Sequence, residues 1–175
     1  GKAAYIPVGH KGESTDLLGG GEEIKQIPLK DAIAALKPLL EDASVLKVGH
    51  NIKYDWQMFK KHGIHMAPCD DTMLLSYTLD GTSHGNGMDE LSRLLLNHET
   101  IKFDDVTGTG KARITFDRVQ LKKACDYAAE DADVTARFHH ILKPRLAIDS
   151  MAGVYEDIER PMVITIAEME MAGIK

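Results

Sequence analysis

Apolar residues recur at helical spacing along most of this chain and at strand spacing in only two short stretches. Ala3 to Val8 reads as a short strand, which Pro7 places at an edge or a strand end. Residues 9–27, rich in Gly and charge and including Gly19-Gly20-Gly21, read as a loop. Ile33, Leu36, Leu39 and Leu40 repeat with the helical period, and Pro28 stands where a helix can begin, so a helix is predicted over 28–41. Val45 to Val48 is a second strand. Gly49-His50-Asn51 then turns the chain, Asn51 can cap a helix running to about Lys61, and Gly63 stops it. Asp70 or Asp71 can cap a further helix through Leu79; Gly81 to Gly87 is a loop, and Met88 to Leu96 is helical. Residues 100–116 look irregular, with turns at Gly108 and Gly110. Asp117 can cap a long helix through about Phe138 or beyond, and Met151 to Ala172 is helical again, broken near Pro161. The order is strand, helix, strand, then mostly helices, an α/β start with a helical remainder.

Composition narrows the class. The 175 residues suit one ordinary domain, and 43% apolar with 27% charged residues is the balance of a globular protein with a sizeable core. No apolar run is long enough to cross a bilayer, and no secretory signal opens the chain, so no membrane partner is expected. Cys69 and Cys125 belong to no CxxC pair or zinc-spaced cluster and read as reduced thiols in a cytoplasmic protein, one of them in a helix core. The net charge of −6 argues against a self-sufficient duplex-DNA module, but not against an enzyme that holds cations with carboxylates. The triple glycine lacks the preceding strand and the flanking pattern of a phosphate-cradling loop.

Two segments can carry chemistry. Gly49-His50-Asn51-Ile52-Lys53-Tyr54-Asp55 puts Asn51 and Asp55 on one face of a helix's first turn, just after a strand. The plainer account is that Asn51 only caps and Asp55 only complements the helix dipole. In Tyr127-Ala128-Ala129-Glu130-Asp131-Ala132-Asp133, the apolar stripe runs through Leu121, Ala124, Cys125, Ala128 and Ala132, opposite a solvated stripe of Asp126, Glu130, Asp133 and Arg137. Asp131 lies at the margin of the buried face, one turn after Tyr127. A carboxylate turned toward a core needs a partner or a metal. The plainer account is a satisfied structural Asp, bonded to the tyrosine.

The first of these segments resembles the second motif of the DEDD 3′→5′ exonucleases, and Tyr127 with Asp131 resembles the YxxxD third motif of their tyrosine subclass. Asp71-Thr72-Met73-Leu74, Met88-Asp89-Glu90-Leu91 and Thr107-Gly108-Thr109-Gly110-Lys111 are similar to the proofreading domains of the bacterial DNA polymerase I family (family A) rather than to ribonuclease D. Tyr155 to Pro161-Met162 and the apolar helix to Lys175 resemble the start of the polymerase region. The resemblance covers essentially the whole chain. It implies a ribonuclease-H-like mixed sheet flanked by helices, here truncated at its N-terminal strands and followed by a helical extension. Residues 1–150 would be the exonuclease domain and 151–175 the opening of the polymerase region. It also implies hydrolysis of the 3′-terminal phosphodiester of DNA by two divalent metal ions, with Mg²⁺, Mn²⁺ or Zn²⁺ as candidates. Asp131 would ligate the tighter metal and Asp55 the second through water, while Tyr127 would orient the attacking water. His50, Asn51 and Tyr54 would contact the single-stranded 3′ end, and Phe103 would stack near its terminal bases. The implied partners are that DNA end and the polymerase domain of the same polypeptide, in a monomeric, nucleoid-associated bacterial protein.

Three departures from the family pattern matter. The first motif, Asp-x-Glu on an opening strand, is not found upstream of Tyr5, and Glu13 and Asp16 are wrongly spaced to replace it, so this chain is expected to be inactive. His50 stands where relatives often carry Gln, and its charge is expected to vary near neutral pH. The loop Ser83 to Gly87 also lacks a basic residue seen in some relatives. A non-catalytic exonuclease-like scaffold or nucleic-acid-binding module remains the alternative. A ribonuclease D-like RNA-processing enzyme is disfavoured by the spacer segments.

Overall fold

The computed structural model describes residues 2–11 and 24–173. The triple glycine, Glu13 and Asp16 lie outside the described residues. The chain divides into two compact units, residues 1–35 with 100–133 and residues 36–99 with 134–175.

In the second unit the strand β1 (Lys47–Gly49) pairs in parallel with β2 (Cys69–Asp71), in a register that sets Gly49 opposite Asp71. The helix α2 (Ile52–Lys61) makes the crossover that parallel pairing requires. This two-stranded parallel sheet is the whole sheet among the described residues, where a mixed sheet was expected. The helix α3 (Thr72–Asp80) leaves β2 directly. The expected helix at 88–96 is present, but its second half, Ser92–Leu96, widens into a π-helical turn after α4 (Met88–Leu91). After α7 (Ala152–Val154) a second π turn, Tyr155–Glu159, leads into α8 (Arg160–Ala172), whose first turn holds Pro161. Residues 152–172 are helical throughout, and the α-helical ladder is interrupted by the π turn just before Pro161, where a break was expected.

Two apolar clusters hold this unit. One joins Leu75 and Leu91 to Val134, Phe138, Leu142 and Leu146, which repeat every four residues along α6 (Leu121–Ile148), and to Tyr155. The other packs Ile52 and Trp56 of α2 against Val163 and Ala167 of α8, with Met66 and Cys69. Cys69 is buried and its thiol is pushed up to about 11 by burial; Cys125 is half-buried, and both are free thiols.

The first unit departs further from the sequence reading. Residues 3–8 form no strand; no ladder partner is present for them among the described residues, and Pro7 has no N–H to offer. The segment is held instead by His10, whose Nε2 meets the Val119 carbonyl at 2.6 Å, and by the Lys11 amide, which donates to the Asp117 carbonyl. Residues 100–116 are more regular than expected. They contain α5 (Phe103–Thr107) and a 3₁₀ turn at Gly110–Ala112, followed by another at Phe116–Arg118. Asp117 lies inside that last turn and does not cap α6, which begins at Leu121. The helix α1 (Leu29–Glu41) begins one residue after Pro28, whose carbonyl accepts from the Asp31 and Ala32 amides.

Candidate functional site

Both parallel strands end at the same level, and a helix starts from each end. Helix N-termini carry unpaired N–H groups and partial positive charge, so the two starts need an acceptor. Asp71 supplies it. Its Oδ1 accepts from the Asn51 amide at 3.0 Å and from the Met73 amide at 2.8 Å, and its Oδ2 accepts from the Ile52 amide at 2.9 Å. The side chain is 3% exposed. Sequence reasoning offered Asp70 or Asp71 as the cap of α3 and neither as a support of α2, because the bridge to residues 51 and 52 is made only when the strands pair.

Asn51 corrects the expectation placed on it. It precedes α2 in the left-handed conformation (φ 58°, ψ 46°), and its side chain makes no capping hydrogen bond. Asparagine tolerates this conformation at little cost, which accounts for the residue type here without a cap. The tight approach of the turn also fixes Gly49: a Cβ there would lie 2.7 Å from the Ile52 side chain.

Asn51, Tyr54 and Asp55 are exposed on the first turn of α2, Tyr54 at 61%. Asp55 is open by surface area, yet the protein mass around it and, to a lesser degree, the Asp71 charge raise its carboxyl above the ordinary range. Asn51, Lys53 and Asp71 border a pocket of about 140 Å³ whose apolar wall includes Met162 and Ile166. That volume holds a few waters but is well below the several hundred Å³ of a nucleotide-sized pocket.

His50 points the other way. Its Nδ1 meets the Thr72 hydroxyl at 2.9 Å, and its ring lies 5.9 Å from that of Phe138. Its Nε2 is buried beside the Asn86 backbone without a completed hydrogen bond. Burial pushes its pKa down, away from the neutral range in which its charge was expected to vary.

A buried ion network adjoins this turn. Asp70, fully buried, receives His139 Nε2 at 2.9 Å, Lys143 Nζ at 3.0 Å and Arg160 Nε at 3.1 Å, with the Tyr155 hydroxyl at 3.3 Å. Burial alone would raise this carboxyl, but the bonds from His139 and Lys143 and the Lys143 and Arg160 charges outweigh it and hold it low. The sequence gave no sign of this centre beyond a pair of adjacent aspartates.

In the first unit, Phe103 stacks on Phe116 with ring centroids 6.0 Å apart, and both meet the Tyr127 ring, at 6.1 and 5.8 Å. The Arg113 guanidinium lies 5.3 Å from the centroid of the Phe103 ring, and Phe103 is 41% exposed. Phe103 is thus partly exposed rather than core. Asp131 is half-buried one turn after Tyr127, as its position at the margin of the stripe predicts, but Ala132 is exposed and does not belong to the buried face. Glu130 is likewise not a solvated residue: it is half-buried and accepts from the Ile101 amide at 2.6 Å, because the segment leading into α5 lies against it. Asp126 and Asp133 are exposed, as expected.

Two-metal hydrolysis requires several ligands converging on the ions. Among the described residues no group of three or more His, Cys, Asp and Glu side chains is placed to hold a metal ion. No helix is long and apolar enough to cross a membrane.

Comparison with known proteins accounts for these motifs. Residues 3–147 match a family model described as 3′-5′ exonuclease. The chain is 52% identical over 173 residues to DNA polymerase I of Rhizobium leguminosarum, covering 99% of the chain and 17% of that protein. It is 43% identical over 178 residues to DNA polymerase I of Pseudomonas aeruginosa, covering 99% of the chain and 18% of that protein. The chain thus spans less than a fifth of these relatives. Among solved structures, NrnC of Brucella melitensis bound to pGG aligns with a TM-score of 0.63 at 20% identity, over 87% of this chain and 67% of that one. NrnC of Brucella melitensis with bound Mg²⁺ aligns with a TM-score of 0.61 at 22% identity, over 85% of this chain and 66% of that one. At such identities the likeness is one of fold. Matched over most of its length, this chain belongs to the 3′-5′ exonuclease family.

Proposed function

We propose that this chain is the proofreading part of a bacterial DNA polymerase I, in which it hydrolyses the 3′-terminal phosphodiester of DNA presented as a single strand. The observation that carries the reading is the family match across residues 3–147, which contains both motif segments. The named relatives, bacterial DNA polymerases I, support the polymerase context. On this reading residues 1–150 are the exonuclease domain and 151–175 open the polymerase region of the same monomeric, cytoplasmic polypeptide.

Divalent cations are part of the proposal. The Mg²⁺-bound relative of similar fold supports their use, and they would polarise the scissile phosphate and activate water. Asp55 and Asp131 are the carboxylates proposed to engage them, and Tyr127 the hydroxyl that orients water. Asn51 and Tyr54 are proposed to contact the DNA end, with Phe103 offering a stacking face; His50, turned inward, would act by supporting that turn. The 175-residue chain alone is proposed to be inactive, since Asp55 and Asp131 lack the Asp-x-Glu carboxylates of the family's first motif among the residues upstream of Tyr5.

Two measurements test the reading. In the full-length polymerase, Asp131→Ala should lower 3′→5′ degradation of single-stranded DNA on the order of a thousandfold while polymerisation continues. Unchanged degradation would remove Asp131 from the site. With the 175-residue chain, robust Mg²⁺-dependent digestion of a labelled oligonucleotide would overturn the inactivity.

A further inference from the structure

The first turn of α2 has an unusual support. Most helices take their N-cap from the residue that precedes them. Asn51 occupies that place in the left-handed conformation and caps nothing with its side chain. The amides of Asn51 and Ile52 donate instead to Asp71, a residue twenty positions further on. The same carboxylate accepts from Met73 at the start of α3.

The consequence is geometric. Asn51, Tyr54 and Asp55 all lie within one turn of these amides, and the Tyr54 amide itself donates to the Asn51 carbonyl at 3.1 Å. The Ile52 side chain packs over Gly49, where a Cβ would lie 2.7 Å from it. What remains to fix its direction is the Asp71 carboxylate, which is buried, accepts three amides and is anchored through its own backbone N–H to the Tyr155 hydroxyl at 3.1 Å. If Asp71 served α3 alone, a single bond to Met73 would suffice. Both oxygens are engaged by the 51–52 segment.

We propose that Asp71 is a positioning residue: it holds the first turn of α2 so that Asn51 and Tyr54 present a fixed contact surface to a single-stranded DNA end. The inference rests on the DNA-binding part of the proposed function. It requires no metal, and its readouts are independent of hydrolysis.

The test uses the 175-residue chain, a short 5′-fluorescein oligothymidylate and no added metal. Asp71→Ala should speed amide hydrogen exchange at Asn51 and Ile52 and weaken oligonucleotide binding, each on the order of tenfold, the factor expected for loss of a helix cap. Asp71→Asn keeps an oxygen acceptor and the side-chain volume; it should fall between the two, and it carries the test should Asp71→Ala not fold. Asp70→Asn disturbs the neighbouring ion network but leaves the cap, and where it is folded it should bind as the wild type does. Wild-type binding in a folded Asp71 variant, alongside a loss in Tyr54→Ala, overturns the positioning role alone. An equal loss in Asp70→Asn reduces Asp71 to a stability effect and overturns it too. No binding by the wild type sinks the DNA-binding reading and this inference with it.

Discussion

The unit of residues 36–99 and 134–175 holds its candidate residues against buried carboxylates, whereas the unit of residues 1–35 and 100–133 holds its own against aromatic rings. In the first case Asp71 and Asp70 are sealed from water and bonded on several sides, so the turn bearing Asn51 and Tyr54 is supported by directional bonds in a low-dielectric setting. In the second, Phe116 and Phe103 touch Tyr127 through ring faces and edges, contacts that are weaker and more tolerant of sliding. The difference predicts unequal responses to mutation, and each experiment below can sharpen or break it.

The largest effects should come from the buried side. Phe138→Ala opens a cavity in the cluster that also contains Leu75 and Tyr155, and should cost about 3–5 kcal/mol in denaturant unfolding. Asp70→Ala strands His139, Lys143 and Arg160 around an empty site and should cost a similar ~3–5 kcal/mol. If either change left stability intact, the contrast between the units would fail. Gly49→Ala should be smaller, about 1–3 kcal/mol, as overpacking against Ile52.

Acid offers a graded probe of the same side. His50 has a lowered pKa in the folded state, so its contribution to stability is present above its unfolded value near 6.5 and is lost as pH falls below it. Asp70, also lowered, contributes above the ordinary carboxylate value of 3.8 and loses that contribution as pH falls through its lower folded value. Unfolding free energy should therefore decline in two stages on acidification. His50→Gln should remove the stage nearer neutrality and Asp70→Asn the deeper one; a single stage unaffected by either variant would contradict these assignments.

The smallest effects belong to the aromatic side. Phe116→Leu removes the ring contacts to Tyr127 while keeping volume, and should cost about 0.5–1.5 kcal/mol. Arg113→Ala removes an exposed cation over Phe103 and should cost about 0.5–1 kcal/mol. A loss of several kcal/mol in either would show that this unit depends on its rings as heavily as the other depends on its carboxylates.

Much was legible in the sequence because it was local. The helical period of Ile33 to Leu40 placed α1 within a residue, and the apolar run at Val45 to Val48 located β1 to within two. Asp131 could be placed at the margin of a buried face from its spacing to Ala124 and Ala128. Local patterns failed where the outcome depended on a distant partner. Ala3 to Val8 has strand composition but no strand beside it among the described residues; Glu130 looks solvated until the Ile101 amide reaches it; Asn51 looks like a cap until Asp71 takes that role.

The sequence by itself determined the family, through Gly49 to Asp55, Tyr127 and Asp131, because those motifs are short, contiguous and tied to side-chain chemistry. It also determined where most helices lie, since helical periodicity is a property of neighbours. Tertiary structure alone decided what holds the candidate turn in place. Two adjacent aspartates, Asp70 and Asp71, are alike in sequence, but successive residues on a strand face opposite sides. One therefore meets His139 and Lys143 of α6 and Arg160 of α8, and the other meets the amides of two helix starts.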